Sequence, residues 1–413
     1  MKFAHMADLH LGATSDPRLR ELELKTLERA FDRCVEEGVD FVVVAGDLFH
    51  VNVPDLAVVR DSVRIFVKFV ATGRRIYVVY GSHDFSPNAA SIIDILDEAG
   101  VIVRVGRPSS VEGRLRPGVV KDERSGALLT GISGRRASLE REAFENLDRE
   151  YLSSLEGFKI FVFHTGLDEV RRENERFEGI ASTDLPRGFD YYAGGHIHRR
   201  VEVVKGARVV YPGPLFTGWG ADMEATVKGE RRGFYIVEGG REVRTRFVDL
   251  TAFEGVYEEI DATGLSSSSV NERLKALVQR LDARDKVLVV KVFGELASGR
   301  TSEVDFASFR DALTRKGAIY LHLSRNQLRA REVAAVTVGG EESSEIEERV
   351  LKELAGTVRL KEPRLREGSV TLAKDLLAQL RVAKREGETE GDYEARTSSA
   401  AVEVLGIKRL MEG

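Results

Sequence analysis

The chain has 413 residues, too many for one compact core, so two or three domains are expected. Its formal net charge of −5, with 31% charged residues, excludes a globally basic surface for nucleic acid and leaves only local patches for such contacts. A single cysteine excludes an internal disulfide framework and a cysteine-type zinc site, and no apolar run is long enough for a membrane span or a signal peptide, which predicts a cytoplasmic protein with no membrane contact.

Short apolar runs that stop at Gly or Asp follow one another through the first 250 residues. Two of them, 41–47 and 75–81, are almost continuously apolar, as buried parallel strands are, and 54–73 reads as a helix between them. The later runs lie close together with little helix between them, at 127–132, 159–164, 191–196, 208–213 and 233–240. This spacing predicts antiparallel pairing in the second half of the region.

Residues 255–335 have the pattern of a small α/β domain, with two helices and two strands in alternation. The helices are expected at 269–283 and 305–317, and the strands at 286–294 and 318–323.

From residue 341 to 413 the chain has mixed charge and a helical pattern. Apolar stripes follow the capping-box pair Ser344 and Glu347 and recur at Leu372, Leu376, Leu377 and Leu380. Short helices must bury such stripes, either against the small domain or against a partner protein. A polar, flexible linker is expected at 384–399.

Metal-binding residue types follow the apolar runs in five places. Six of the eight histidines lie in these segments, which contain Asp8 and His10, Asp47 and His50, Ser82 with His83 and Asp84, His164, and His196 with His198. One histidine at a strand end is more often a structural residue than a metal ligand. Six histidines at successive strand ends are difficult to explain as structural residues alone. His5 and His322, inside predicted strands, are interpreted as packing residues.

Imidazole and carboxylate together suit Mn, Fe or Zn rather than Ca or Mg alone. Two such ions close together require a bridging carboxylate, and Asp47 is the natural candidate because Asp8 already has His10 as its companion. In an extended segment, His196 and His198 would lie on the same side, one for each ion.

The ordered set D-x-H, G-D, G-S-H-D, H and G-H-x-H resembles the calcineurin-like metallophosphoesterase superfamily. Residues 46–50, with His50 directly after the Gly-Asp motif, resemble the SbcD family of DNA double-strand-break repair nucleases, as does the small second domain followed by a helical tail. The resemblance implies a metallophosphoesterase β-sandwich flanked by helices over residues 1–250, a small α/β capping, DNA-binding domain over 255–335 and a helical partner-binding region over 341–413.

The resemblance also implies the roles of individual residues. One metal ion, most plausibly Mn²⁺, would be held by Asp8, His10, Asp47 and His198, and a second by Asp47, His164, His196 and Ser82. Ser82 departs from the superfamily, which usually has Asn there, so weaker binding of the second ion is expected. His83 would protonate the leaving oxygen, and His50 would position the phosphodiester. Asp84 is interpreted as support for the loop.

Three functions remain open at this level. The first is a 3′–5′ exonuclease and single-strand endonuclease of a repair complex, which would act as a nucleoid-associated homodimer with an SbcC-type coiled-coil ATPase docked on its C-terminal helices. The second is a phosphoesterase acting on small phosphodiesters or nucleotides, and the third is an inactive scaffold of the same fold. Phosphate or DNA contacts are hypothesised for three arginine pairs, Arg135 with Arg136, Arg171 with Arg172, and Arg199 with Arg200.

Overall fold

The computed structural model describes residues 1–85, 90–134, 140–172, 175, 177–204, 208–217, 220–330, 350–352, 368–385, 388 and 390–406. The chain divides into two compact units, Met1–Arg331 and Glu332–Gly413. No helix in the described ranges is both long enough and apolar enough to cross a membrane.

The first unit contains a six-stranded sheet in which four strands are parallel. Its strands are β1 Lys2–Met6, β2 Phe41–Ala45, β3 Arg75–Val79, β4 Val103–Arg104, β13 Gly233–Glu238 and β14 Arg244–Asp249. The spatial order is β14-β13-β1-β2-β3-β4, with β1 to β4 parallel and β13 antiparallel to β1. The prediction of buried parallel strands at 41–47 and 75–81 is therefore confirmed.

A second six-stranded sheet faces the first one. Its strands are β7 Val120–Lys121, β8 Leu128–Ile132, β9 Lys159–His164, β10 Tyr191–Gly195, β11 Val201–Val204 and β12 Arg208–Tyr211, and a separate hairpin pairs β5 Pro108–Val111 with β6 Arg114–Pro117. The strands β8, β9, β10 and β12 pair in parallel, so the prediction of antiparallel pairing was wrong for them. Their crossovers are two short helices, α4 Glu140–Glu145 and α5 Arg149–Ser154, and a largely irregular segment, which give little periodic signal.

The two sheets form a sandwich because each of these strands turns one apolar face inward. Phe3, Phe41 and Tyr77 of the first sheet meet Ile160 and Tyr191 of the second in a fully buried layer. The outer face of the first sheet is covered by α1 Pro17–Glu36, α2 Leu56–Val70 and α3 Ile92–Glu98. Cys34 is buried in this outer core, where it acts as a packing residue.

The small α/β region has its own sheet and core within the first unit. It consists of β15 Glu254–Asp261, α7 Ser267–Arg280, β16 Lys286–Leu296, α8 Phe306–Arg315, β17 Tyr320–Ser324 and β18 Leu328–Ala330. The four predicted elements are present, and β15 and β18 were not predicted. Helix α6, Gly220–Val227, joins this region to the sandwich, because Met223 packs with Val287 and Val289 of β16.

The second unit contains helices α9 Ser369–Leu380 and α10 Glu390–Leu405, which contact each other. The prediction of a flexible linker over 384–399 was wrong, since α10 begins at Glu390. Within this segment, Arg396 of α10 forms an ion pair with Glu388, which lies just before the helix. The capping pair Ser344 and Glu347 lies outside the described residues.

Candidate metal centre

The candidate ligands meet where strands from both sheets end. Asp8, Asp47 and Ser82 follow β1, β2 and β3 of the first sheet, while His164 ends β9 and His198 follows β10 of the second. Parallel strands bring their carboxyl ends to the same edge, and the sandwich places the two edges against each other. The backbone N–H of His196 donates to Asp8 Oδ1 at 2.9 Å, which ties the two sheets together at this point.

Two clusters of candidate ligands share Asp8. The first contains Asp8, His10 and His198, and the second contains Asp8, Asp47 and His164; in each, the ligand atoms lie within 4.8 Å of one another. Asp47 Oδ2 lies 3.6 Å from His10 Nε2 and 3.2 Å from His164 Nε2, so one carboxylate oxygen faces a histidine of each cluster.

The hydrogen bonds of two histidines determine which ring nitrogen faces the clusters. His164 Nδ1 donates to the carbonyl of Ala45 at 2.9 Å, and His198 Nδ1 lies 2.8 Å from Asp222 Oδ2. In the neutral rings of these two residues, Nε2 then carries the lone pair and can bind a cation. His198 Nε2 also lies at hydrogen-bond distance, 3.1 Å, from His10 Nε2.

One buried carboxylate oxygen at the centre, Asp8 Oδ2, has no hydrogen-bond partner within the described part of the chain. Buried polar atoms are rarely left in this state, and those at functional sites often bind an ion. The donor set, its burial and this unpartnered oxygen therefore fit divalent metal ions.

The charge balance of the protein groups supports the same conclusion. Burial alone would lower the pKa of His164, but Asp47 and Asp8 outweigh it and raise that pKa to about 10. Burial alone would raise the pKa of Asp47, but the adjacent His164 and His10 hold it well below its usual value. The carboxylates thus attract a positive charge strongly, and a metal ion would compete with protons for this place.

Backbone strain is concentrated at the same residues. Asp8, His10, Asp47 and His196 have positive φ angles of 52°, 43°, 50° and 86°, and only two other non-glycine residues in the described chain share this conformation. Such strain costs on the order of 1–3 kcal/mol per residue and tends to occur at functional sites. His196 is therefore not in the extended backbone that the H-x-H spacing predicted.

Close packing leaves no room for a side chain beside Asp47. A Cβ atom on Gly81 would lie 2.0 Å from Asp47 Oδ1, and one on Gly46 would lie 2.3 Å from His164 Nδ1. Glycine at these two positions allows the strand ends to approach closely enough for the ligands to converge.

Three further predicted residues lie at the edge of the clusters. Ser82 Oγ is 3.5 Å from Asp47 Oδ2. The ring of His196 packs 5.3 Å from that of His164 and 5.8 Å from that of Phe177, but His196 is not a member of either cluster. Asp84 is fully buried and accepts backbone hydrogen bonds from Leu48, Phe49 and Gly81, the arrangement of a loop support.

His50 and His83 lie on the more exposed side of the clusters. Their rings stack with centroids 5.2 Å apart, and His83 Nδ1 donates to the carbonyl of His50 at 2.6 Å. The backbone N–H of His83 donates to Asp47 Oδ1 at 2.8 Å, so the carboxylate that faces both clusters also fixes the His83 loop. Burial and the neighbouring His83 lower the pKa of His50.

The six arginines differ in their surroundings. Arg199 is buried and paired with Glu175 at 3.0 Å, and Arg171 pairs with Asp168 at 3.5 Å. The Arg172 backbone N–H donates to Glu175, and Arg200 lies over the Phe247 ring. Arg135 and Arg136 lie outside the described residues.

Asp222 is a member of the site that the sequence analysis did not identify. It lies in the first turn of α6 and accepts the hydrogen bond of His198, while the buried Arg232 donates to the carbonyls of both residues, at 2.7 Å to His198 and 3.0 Å to Asp222. The only sequence signal was an acidic residue at the start of a helix shortly after the last ligand segment.

Comparison with known proteins adds independent evidence. The family model described as calcineurin-like phosphoesterase matches residues 1–200. The protein named DNA double-strand break repair protein Mre11 from Archaeoglobus fulgidus is 27% identical over 71% of this chain and 68% of its own length, and the Methanopyrus kandleri protein of that name is 28% identical over 68% and 63%.

A solved dimetal phosphatase from Danio rerio aligns with 60% of this chain and 96% of its own, with a TM-score of 0.37 and 10% identity, a likeness too low to add to the argument. The family match, the homologues and the ligand clusters agree with one another. Residues 1–200 belong to the calcineurin-like phosphoesterase family, and the chain is a metal-dependent hydrolase of phosphoester bonds.

Proposed function

We propose that this protein is a Mn²⁺-dependent DNA nuclease of double-strand-break repair, acting as a 3′–5′ exonuclease and a single-strand endonuclease. The observation that carries the proposal is the pair of ligand clusters around Asp8 and Asp47, where buried carboxylate and imidazole atoms face one another. The double-strand-break repair proteins that align with most of this chain support the choice of DNA as the substrate.

Two cations are proposed at the centre. Asp8, His10, Asp47 and His198 would hold one of them, and Asp47, His164, His196 and Ser82 would hold the other. When bound, such ions polarise a phosphodiester and generate a nucleophile at neutral pH. Asp47 is the proposed shared ligand because its Oδ2 faces both His10 and His164.

The remaining steps belong to side chains of the protein. His83 Nδ1 donates to the carbonyl of His50, and Nε2 is the nitrogen proposed to protonate the leaving 3′ oxygen. His50 is proposed to position the phosphodiester. Its backbone N–H donates to the carbonyl of Leu11 at 3.1 Å, which keeps it beside the His10 loop.

The proposed partners are DNA, a second copy of this chain and an SbcC-type coiled-coil ATPase bound through the C-terminal helices, in a cytoplasmic, nucleoid-associated complex. The separation of residues 332–413 as a compact unit supports a distinct binding role for this region. Leu380 on α9 is 47% exposed, which leaves apolar surface for a partner.

Hydrolysis of 3′-labelled duplex and single-stranded DNA with Mn²⁺, compared with hydrolysis of bis-p-nitrophenyl phosphate, tests the substrate. The nuclease proposal expects cleavage of both DNA substrates. Cleavage of the small diester alone would favour a small-molecule phosphodiesterase, and no hydrolysis of either by the metal-loaded protein would favour a scaffold.

His83→Ala tests the role of the proposed acid. The variant should keep its bound Mn²⁺ and lose activity by about 10²–10⁴-fold, as removal of a general acid does. Mn²⁺ content and the rate of DNA hydrolysis are measured on the same sample. Loss of Mn²⁺ in proportion to activity would identify His83 as a ligand instead.

A further inference from the structure

Three imidazoles form a third cluster beside the two that contain carboxylates. His10, His50 and His83 each place one ring nitrogen within 4.8 Å of the other two. The His83 ring centroid lies 4.8 Å from that of His10 and 5.2 Å from that of His50. This group shares only His10 with the carboxylate clusters and contains no oxygen ligand.

The backbone fixes this third cluster through contacts to both flanking loops. His83 Nδ1 must carry the hydrogen, because a carbonyl can only accept, and Nε2 of the neutral ring is therefore the ligand atom. Metal-bound histidines typically have this arrangement, with the other ring nitrogen bonded to a carbonyl. The backbone N–H of His50 donates to the carbonyl of Leu11, and that of His83 donates to the Asp47 carboxylate. These two bonds fix the positions of the two histidines.

We propose that His50 and His83, with His10 beside them, form an additional cation position that selects Zn²⁺ over Mn²⁺. Imidazole ligands suit Zn²⁺, Ni²⁺ and Cu²⁺, whereas Mn²⁺ and Mg²⁺ prefer oxygen. Zn²⁺ in proteins is typically four-coordinate, so water would complete its shell beside His50 and His83 while His10 remains a ligand of the first ion. His50 and His83 are only partly buried, so a cation can reach them from solvent.

Occupation of this position has a consequence that rests on the proposed function. The same two histidines are proposed to position the phosphodiester and to protonate its leaving group. Zn²⁺ bound there would compete with DNA, and a low concentration of Zn²⁺ should raise the KM of the Mn²⁺-loaded enzyme with little change in kcat.

Metal counting tests the site without any activity measurement. The wild-type protein is saturated with Mn²⁺ or with Zn²⁺, freed of excess ion by gel filtration and analysed by elemental mass spectrometry. We expect one more equivalent of Zn²⁺ than of Mn²⁺. His50→Ala and His83→Ala, each shown to be folded by circular dichroism, should lose this extra equivalent and keep the Mn²⁺ count of the wild type.

His322→Ala is the matched control, because His322 is a half-buried histidine in the small α/β region and lies outside the cluster. It should keep the extra zinc. Equal counts of Zn²⁺ and Mn²⁺ in the wild type would overturn the proposal, as would an extra zinc that survives in both cluster variants.

The outcome is separate from that of the nuclease proposal. A protein that binds the extra zinc but does not cleave DNA would contradict the proposed nuclease function and leave the zinc position intact. A protein that cleaves DNA but binds equal numbers of Zn²⁺ and Mn²⁺ ions would support the nuclease function and contradict the zinc position.

Discussion

At the scale of single residues, Asp222 controls the chemistry of one candidate ligand. Its carboxylate accepts the Nδ1 hydrogen of His198, and this bond selects the ring form in which Nε2 can bind a cation. The contact also raises the pKa of His198 against the opposing effect of burial, which marks a more basic imidazole. Arg232 donates to the backbone carbonyls of both residues, so the orientation of His198 depends on Asp222, 24 positions away in the chain, and on Arg232, 34 positions away.

Asp222→Asn should weaken binding of one Mn²⁺ by about 10–100-fold, because an amide is a poorer acceptor for the His198 ring. Mn²⁺ titration by calorimetry measures this loss. Glu224→Gln, on the same helix but paired with Lys228, is the control and should bind Mn²⁺ as the wild type does. Unchanged affinity in Asp222→Asn would show that Asp222 only supports the fold.

Ser82→Asn should tighten the second, weaker Mn²⁺ site. The serine hydroxyl lies 3.5 Å from Asp47 Oδ2, and an asparagine would extend an amide oxygen further into the centre. Comparison of the second Mn²⁺ dissociation constant in the two proteins measures the effect. If the wild type already binds two equivalents equally tightly, the hydroxyl or a backbone group is a sufficient ligand and the prediction fails.

At the scale of elements, α1 supports the loop that carries His10. Glu23 lies on α1 with 2% of its surface exposed, and its Oε2 accepts the backbone N–H of Gly12 at 3.0 Å. Burial raises the pKa of Glu23 to about 7, although the Gly12 hydrogen bond and Arg20 partly oppose this. The buried carboxyl group of Glu23 therefore holds the loop that carries His10 against α1.

Glu23→Gln should make the protein more stable above pH 7 and equally stable below about pH 4.5. The native state keeps a proton on Glu23 that the unfolded chain releases between these values, so wild-type stability falls as pH rises through this window. The amide keeps the acceptor for Gly12 without the charge, and the gain should be on the order of 2–3 kcal/mol. Urea unfolding of both proteins between pH 4.5 and 8 measures the difference; a gap independent of pH would contradict it.

The elements also show which features a sequence can reveal. Asp8, Asp47 and His164 were predictable because each follows its own apolar run, which is a local pattern. Asp222 and Glu23 were not, because their partners are defined only by packing. The parallel order of the second sheet was missed because the described residues of the crossover from β9 to β10 form two short 3₁₀ turns, at Asp168–Val170 and Ser182–Asp184, and no longer helix.

At the scale of the whole molecule, the small α/β region is joined to the sandwich by buried apolar contacts. Leu19 and Phe216 pack with Val287 and Val289, and Arg18 donates to the carbonyl of Ala318 at 2.9 Å. A Cβ atom on Gly255 would lie 2.5 Å from Val227, so the two parts touch without a gap. The predicted boundary near residue 250 therefore crosses a shared core.

Two truncations should separate these units. A chain ending at Arg331 should fold, bind Mn²⁺ as the full chain does and fail to co-purify with the proposed ATPase partner, because the first compact unit ends there. A chain ending at Leu250 should aggregate or unfold, since it exposes Leu19, Phe216 and Met223. Circular dichroism and Mn²⁺ titration test both. Unfolding of the longer chain would place the C-terminal helices in the core.

The position of the ligands at the meeting edges of two sheets also has a mechanical meaning. Within each sheet the strands are held by their own ladders, but at this edge one sheet holds the other through the bond from His196 to Asp8 and the bond from His164 to Ala45. Each of the two proposed cations would join ligands from both sheets, the first through Asp8 and His198 and the second through Asp47 and His164. In an optical trap, the sandwich should unfold at a lower force without bound metal than with it. The mechanical stability of the protein would therefore depend on the metal concentration.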